Sequence, residues 1–112
     1  MNKKEIRKVF LESIILVEQK LRKTTIYTDE DNYRYNSKID EVMQYLDGRF
    51  LKCHQSYIIN LDKVVRMHAC TIIFENGIEI ALGRDCFTAA KQRYAVYIVE
   101  MAKKNLARGL YL

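Results

Sequence analysis

Residues Phe50–Val64 read FLKCHQSYIINLDKV, in which a short polar and cationic cluster leads directly into apolar and β-branched residues. Aromatic and β-branched residues favour strands, so the second half of this stretch is predicted to be a buried strand. Lys52 and His54 stand just before it and carry groups that suit an anionic ligand. The stretch therefore predicts a basic recognition loop that is braced by a buried strand.

The length and composition predict a single domain spanning residues 1–112. With 49% hydrophobic residues, the chain can bury one modest core without disulfide or metal staples. Its 19 Lys and Arg residues against 14 Asp and Glu residues give a formal net charge of +5 at pH 7, which attracts polyanions. Nucleic acid is the first candidate for such a partner, and an anionic membrane surface is the second.

The cysteines predict a reducing compartment. Cys53, Cys70 and Cys86 are odd in number and widely spaced, form no Cys-x-x-Cys pair and follow no recognisable secretory leader. The longest apolar run, residues 13–17, is too short to span a bilayer. We therefore expect a cytoplasmic protein without a transmembrane segment.

The first 36 residues contain one ambiguous segment and one predicted hairpin. Apolar residues recur at helical spacing at Ile6, Val9, Phe10, Ile14, Val17 and Leu21. The β-branched run at 14–17 instead suits a buried strand, and the pattern leaves helix and strand open. Residues 24–28 and 33–36 have strand composition, and the polar segment 29–32 between them is typical of a hairpin turn.

Two helices are predicted from apolar spacing. Ser37 is placed to accept a hydrogen bond at the start of the first helix, and Gly48 is placed to supply a left-handed cap at its end. The apolar positions of this helix are Ile39, Val42, Met43 and Leu46. The second helix is predicted from Asp85 to about Ala107. Its apolar positions are Phe87, Ala90, Tyr94, Tyr97, Ile98 and Met101.

A second hairpin is predicted before the terminal helix. Residues 70–74 and 78–82 have strand composition and flank Asn76-Gly77, a pair favoured where both turn residues need positive φ. The order of elements is therefore strands, a small helix, further strands and a terminal helix, without βαβ alternation. This order predicts a mainly β antiparallel domain with helical accessories.

The motif at residues 50–64 resembles the signature of the LytTR DNA-binding domain, which is found mostly at the C-terminus of bacterial response regulators. The residues that match the family pattern are Lys52, His54, Ser56, Tyr57, Asn60, Leu61 and Val64. A second matching segment, residues 76–84, corresponds to a hairpin turn, a strand and the family's usual Ser-Arg pair. Residues 10–13 also resemble the family's opening strand. The similarity runs from about Arg7 to Val96.

The resemblance implies an elongated, mainly β fold of about ten strands in small stacked antiparallel sheets, with one short helix and a C-terminal helix. It implies sequence-specific binding of double-stranded DNA, with loops that enter two successive major grooves and touch the minor groove between them. It also implies the effector domain of a bacterial transcription regulator in a two-component system, acting at promoter repeats. The implied partners are DNA, a second copy on DNA, and a receiver domain or regulatory partner outside this chain.

The resemblance further implies three contact loops. Arg84 matches the arginine that reads a base in the major groove, and Gln55 matches the polar residue that reaches the minor groove. Either Arg22 or Lys23 matches the first groove-entering loop. The sequence departs from the family pattern at Gln55, where arginine is usual, and at Gly83, where serine is usual. These departures leave the preferred DNA sequence open.

The chemistry of these residue types agrees with the implied roles. Arginine makes bidentate contacts to guanine O6 and N7, and glutamine pairs with adenine or with minor-groove acceptors. Lys52 and His54 are predicted to hold phosphate oxygens. Ser56 belongs to the same DNA-binding loop by its match to the family motif. Lys91 is placed to reach a phosphate only if the terminal helix starts near Arg84.

Other conspicuous residues have a structural interpretation. Asn60 is predicted to satisfy local backbone groups at the end of a strand, because asparagine bonds readily to its own neighbours. Tyr57, Tyr94 and Tyr97 lie on apolar faces and are predicted to be core or rim residues. We therefore assign none of these four residues to the DNA site.

Alternative functions also remain open in the sequence. A thiol or metal site would draw on five residues, Cys53, His54, His68, Cys70 and Cys86. The spacing of His68 and Cys70 is too tight for the common zinc pair. In a redox version, Lys52 and His54 favour the Cys53 thiolate, and oxidation in the DNA loop releases DNA.

A protein-interaction domain would explain the strands but not the cationic loops. No motif for a catalytic nucleophile or a phosphate-binding loop is present, so we predict neither catalysis nor a cofactor.

Overall fold

A computed structural model describes residues 8–104, which form eight strands, two α-helices and two short 3₁₀ helices. The strands are β1 (Ile14–Lys20), β2 (Lys23–Thr28), β3 (Asn32–Tyr35), β4 (Phe50–His54), β5 (Tyr57–Asn60), β6 (Val64–His68), β7 (Thr71–Phe74) and β8 (Glu79–Ala81). The α-helices are α1 (Ile39–Met43) and α2 (Arg84–Lys103), and the 3₁₀ helices are Leu11–Ser13 and Leu61–Lys63.

The strands form two antiparallel sheets. One has five strands in the order β3-β2-β1-β5-β4, and the other has three in the order β6-β7-β8. The fold is elongated, with extents of 45 × 31 × 24 Å along its principal axes. The predicted mainly β architecture with a short helix and a C-terminal helix is confirmed, with eight strands in residues 8–104 where the resemblance implied about ten.

The N-terminal ambiguity is resolved in favour of a strand. Ile14, Ile15, Leu16 and Val17 are all buried in β1, which is the central strand of the larger sheet. Ile14 and Val17 pack into one apolar cluster, and Ile15 and Leu16 pack into another. A bulge between Ile14 and Leu16 puts Ile15 and Leu16 on the same side. The strand is apolar without alternation because both of its faces are covered.

Two apolar clusters hold the layers together. The smaller one lies under α1 and includes Ile26, Ile39, Phe50 and Ile58. The larger one joins the two sheets and α2, through Ile59, Phe74, Ile72, Phe87 and Tyr97 among others. Since burying a large apolar side chain contributes about 1.5–3 kcal/mol, these clusters are the main source of stability.

Asn60 is confirmed as a structural residue at the junction of the two sheets. Its side chain is fully buried, and its Nδ2 donates to the Ile14 carbonyl at 2.7 Å. Its Oδ1 accepts from the Asp62 N–H at 2.9 Å, which starts the 3₁₀ helix that leads into β6. One side chain therefore ties β1 to the end of β5 and sets the path into the second sheet.

The predicted short helix exists as α1, but both of its predicted caps are wrong. Ser37 does not cap it, and the Ser37 carbonyl instead accepts a hydrogen bond from the Thr24 hydroxyl at 2.7 Å. The N–H of Ile39 donates to Gln19 Oε1 at 2.8 Å, so a side chain from β1 satisfies the helix start. Gly48 does not have a positive φ, so it supplies no left-handed cap.

Both predicted hairpins are confirmed, as β2–β3 and β7–β8. In the second, Gly77 has a φ of 88°, whereas Asn76 does not have the positive φ that was predicted for both residues. The Gly77 N–H donates to the Phe74 carbonyl at 2.9 Å, and Asn76 Oδ1 accepts from the Ile78 N–H at 3.0 Å. The turn is therefore closed with glycine alone in the left-handed region.

Several element bounds differ from the predictions, and each strand of the two hairpins differs by one residue at one or both ends. Residues 10–13, expected to resemble an opening strand, include the 3₁₀ helix Leu11–Ser13, and the strand begins only at Ile14. Helix α2 begins at Arg84, one residue before the predicted start. Three positions named in the predictions lie outside residues 8–104, namely Ile6, Arg7 and Ala107.

Candidate nucleic-acid interface

The first two predicted contact loops lie side by side. Both are two-residue turns, between β1 and β2 and between β4 and β5. β1 pairs with β2 on one side and with β5 on the other, and the Gln19 N–H donates to the Ser56 carbonyl at 2.9 Å. Arg22 and Lys23 therefore stand beside Gln55 at one end of the five-stranded sheet.

The start of α2 lies at this same end. Cys86, in the first turn of α2, packs against the same apolar cluster as Cys53 near the end of β4, and it lies close enough to affect the pKa of Cys53. Farther along α2, the Tyr97 hydroxyl donates to Asp62 Oδ1 at 2.7 Å, just beyond the opposite end of β5. The helix therefore runs away from the β4–β5 turn and leaves Arg84 beside it.

We call this region the contact end, defined by Lys20–Lys23, His54–Ser56 and Arg84. Arg22, Lys23, Gln55 and Arg84 are exposed there. None of the three cations forms an ion pair with another residue of 8–104. The structure therefore brings together the three loops that were predicted separately and leaves their candidate DNA-binding side chains exposed.

Lys52 and His54 are held by other residues of the chain. Lys52 Nζ forms an ion pair with the exposed carboxylate of Asp40 in α1. His54 is partly buried, its Nδ1 accepts from the Ser56 N–H at 3.1 Å, and its ring lies 5.6 Å from that of Tyr57. His54 therefore braces the β4–β5 turn, and its Nε2 is the nitrogen left for a ligand.

The three tyrosines take the predicted core and rim positions. Tyr97 is buried, and burial together with the Asp62 carboxylate raises its pKa above the usual value. Burial and the nearby Glu18 carboxylate also raise the pKa of Tyr57. The Tyr94 hydroxyl donates to the Val64 carbonyl at 3.2 Å. These rings brace α2 and β5 against the sheets.

The alternative sites built on cysteine and histidine are not assembled. Within residues 8–104, no three His, Cys, Asp or Glu side chains converge in a way that could hold a metal ion. Burial raises the pKa of Cys53 to about 12. The expectation that Lys52 and His54 favour the Cys53 thiolate is therefore wrong, because Cys53 points into the core while Lys52 points toward α1.

Comparison with known proteins decides the family. The family model described as the LytTr DNA-binding domain matches residues 4–95, most of the chain. The chain belongs to the LytTR family. A similar solved structure is the LytTr DNA-binding domain of a putative methyl-accepting/DNA response regulator from Bacillus cereus. It has a TM-score of 0.66 and 19% identity, with 76% of this chain and 84% of that chain covered, and shows the shared fold. No curated protein matches the chain.

Membership of the LytTR family establishes the coarse function. The family is one of DNA-binding domains rather than of enzymes, and it assigns this chain to DNA binding in a transcription regulator. In the part of the chain that the structure describes, no helix has the length and apolar character needed to cross a membrane.

Sequence reasoning missed two residues at or next to the contact end of this LytTR domain. Gln19 forms three hydrogen bonds to other parts of the chain. Its backbone N–H donates to the Ser56 carbonyl, and its Oε1 accepts from the N–H of Ile39 at the start of α1. Its Nε2 donates to the Leu21 carbonyl at 3.2 Å. No local signal marks this role, because the partners are distant in sequence. Leu21 is 95% exposed at the tip of the β1–β2 turn, and its position between cations was a signal that could have been used.

Cys53 is expected to be chemically inert in the folded protein. A pKa raised from 9.0 to about 12 lowers the thiolate fraction near pH 8 about a thousandfold, and the thiolate is the reactive form. We expect alkylation of Cys53, followed by mass spectrometry at pH 8, to be at least about a hundredfold slower than in urea. Cys70, which lies in the β6–β7 turn and is partly buried against the same cluster, is the internal comparison. Equal rates for Cys53 in folded and unfolded protein would contradict this account.

Proposed function

We propose that residues 1–112 act as one cytoplasmic domain that binds double-stranded DNA at specific sites, as the effector part of a bacterial response regulator. The observation that supports this proposal is the contact end, where three separate segments place exposed polar and cationic side chains together. Phosphate contacts position such a protein, and base-edge contacts give it specificity.

In this proposal Arg84 and Gln55 read bases. Arg84 is the first residue of α2, exposed and without an ion pair in residues 8–104, so its guanidinium is available for a bidentate contact to guanine. Gln55 lies at the tip of a turn held by the hydrogen bond within His54–Ser56. A short, braced turn suits the narrow minor groove, where an amide can donate to base acceptors.

The other charged and hydrogen-bonding side chains at the contact end and along the first turns of α2 hold the DNA backbone. Arg22 and Lys23 are exposed cations on the β1–β2 turn, and both are assigned to the first groove-entering loop. His54 and Ser56 contribute hydrogen bonds from the β4–β5 turn. A phosphate contact by Lys91 required that the terminal helix start near Arg84, and α2 does start there. Lys91 is exposed and lies two turns along this helix.

The dimensions of the fold suit two successive major grooves. Equivalent positions on one face of the duplex repeat every ~34 Å, and the long axis of the fold is 45 Å. The whole fold is therefore longer than this repeat, whereas the contact end alone, whose loops lie side by side, is proposed to face neighbouring grooves. We propose that two copies occupy promoter repeats, and that a receiver domain or a regulatory partner outside this chain controls them.

Lys52 gives the first test, because its ion pair with Asp40 must be exchanged for a phosphate. Exposed pairs contribute only about 0–1 kcal/mol, so the exchange is easy. Lys52→Ala is expected to weaken binding to all duplexes by a similar factor and to lower the slope of log affinity against log salt by about one. Asp40→Asn is expected to strengthen binding, because it frees Lys52. Fluorescence anisotropy over a salt series measures both effects.

Two variants control for general charge effects on this measurement. Lys103→Ala removes a cation from the far end of α2, and Asp47→Asn removes a carboxylate that pairs with Arg49. Both are expected to change the salt slope less than the Lys52 and Asp40 variants do. A Lys52→Ala slope equal to that of Lys103→Ala would contradict the phosphate role.

The proposed function itself is tested by comparing two duplexes in the same salt series. One is the duplex preferred by the protein in selection from random DNA, and the other is a scrambled version of it. Site-specific regulators bind their sites roughly 10³-fold or more tighter than other DNA at physiological salt. Equal affinity for both duplexes at every salt concentration would overturn the proposal.

A further inference from the structure

The tip of the β1–β2 turn holds an apolar side chain in an unfavourable position. Leu21 is 95% exposed, the highest value among the large apolar residues of 8–104 that remain exposed. Its φ of 55° lies in the left-handed region, which a branched residue rarely adopts. Both features are unfavourable for a leucine in the free protein, and strained residues of this kind cluster at ligand-binding sites.

The surroundings of Leu21 are strongly cationic. Its chain neighbours include Lys20, Arg22 and Lys23, which are all exposed and have no ion-pair partner within residues 8–104. The backbone at the tip is also fixed, because Gln19 Nε2 donates to the Leu21 carbonyl at 3.2 Å. The hairpin therefore presents one apolar side chain that is flanked in the chain by three exposed cations, on a backbone that Gln19 holds.

We propose that Leu21 contacts the C5-methyl group of a thymine in the major groove and so helps to determine sequence preference. This inference rests on the proposed function. The major groove, about 12 Å wide, admits a two-stranded β-ribbon, and it is the groove that displays the thymine C5-methyl group. The cations on either side of the tip then face the phosphates on the two groove walls. The thymine methyl is the apolar feature that the major groove offers to a leucine.

The test replaces single thymines of the preferred duplex by uracil, which removes only the methyl group. At one position, the wild-type protein is expected to lose about fourfold in affinity, the effect of uncovering one methyl group. Leu21→Ala is expected to lose at least that factor on the thymine duplex and to bind the thymine and uracil duplexes equally. Alanine keeps an L-residue at the positive φ, so the strain of the turn is unchanged.

Val96→Ala is the matched control. Val96 is also an exposed aliphatic residue, 51% accessible, and it lies about 18 Å along α2 from Arg84. This variant is expected to keep the wild-type sensitivity to uracil. The inference is overturned if Leu21→Ala binds the preferred duplex as tightly as the wild-type protein does. It is also overturned if the factor by which Leu21→Ala binds more weakly than wild type is the same on the thymine duplex as on every uracil-substituted duplex. Loss of the preference for the selected duplex over scrambled DNA in the wild type would instead overturn the proposed function.

Discussion

Arg84→Ala is expected to weaken binding to the preferred duplex by roughly 1–3 kcal/mol, or about 5- to 150-fold, and to relax specificity at one base pair. The reason is that Arg84 opens α2 at the contact end with an exposed guanidinium that has no ion pair in residues 8–104. A bidentate contact to guanine is lost outright on truncation, because alanine has no side-chain hydrogen-bond donor. Affinity for scrambled DNA is expected to fall by a smaller factor, similar to that for Lys52→Ala, because only the charge is lost there.

Two further variants separate readout by Arg84 from its charge. Arg84→Lys keeps the positive charge but lacks the planar fork, so it is expected to resemble Arg84→Ala in specificity. Lys91→Ala removes a cation from the same helix, two turns away, and is expected to weaken all duplexes alike. Anisotropy titrations of the preferred duplex and single-base variants measure these effects. An equal loss for Arg84→Ala on preferred and scrambled DNA would contradict base readout.

Asn60→Ala is expected to lower the free energy of unfolding by roughly 2–4 kcal/mol. The substitution leaves the buried Ile14 carbonyl and the Asp62 N–H without their partners and opens a small cavity at a fully buried position. An unsatisfied buried polar group costs about 1–3 kcal/mol, so the loss of two hydrogen bonds dominates the effect. Urea unfolding followed by circular dichroism measures the change.

Asn76→Ala is the matched comparison for this prediction. Asn76 also accepts a backbone hydrogen bond through Oδ1, from Ile78 at 3.0 Å, but it is exposed in the β7–β8 turn, where water can take its place. We expect this variant to lose less than about 1 kcal/mol. If the two alanine variants are equally stable, Asn60 does not join the sheets as described.

Local sequence patterns predicted the hairpins and the terminal helix correctly because their determinants lie close together in sequence. The turn around Gly77 and the apolar spacing of α2 are examples. β1 remained ambiguous because Ile14–Val17 is apolar at every position, and only the presence of clusters on both faces of the sheet explains a strand of that composition.

Long-range contacts account for what the sequence did not reveal. The start of α1 is satisfied by Gln19, which is twenty residues away, and no local motif announces such a cap. Asp40 pairs with Lys52 across the two elements α1 and β4. The burial of Cys53 depends on packing by α2, so its neighbours in sequence gave the wrong direction for its pKa.

The candidate site was predicted residue by residue, but its assembly was not. The resemblance named Gln55 and Arg84 and left Arg22 and Lys23 as alternatives, and the structure places all four at one end of the fold. Their proximity follows from the order of strands in the five-stranded sheet and from the direction of α2 along β4, neither of which is written in a local pattern.

Selection of random double-stranded DNA on the purified protein at physiological salt tests the central claim most directly. The account predicts recovery of a single motif, arranged as a repeat, with a scrambled duplex bound at least about a thousandfold more weakly. Recovery of no motif, together with binding that disappears uniformly as salt rises, would show only a basic surface attracting a polyanion and would contradict the account.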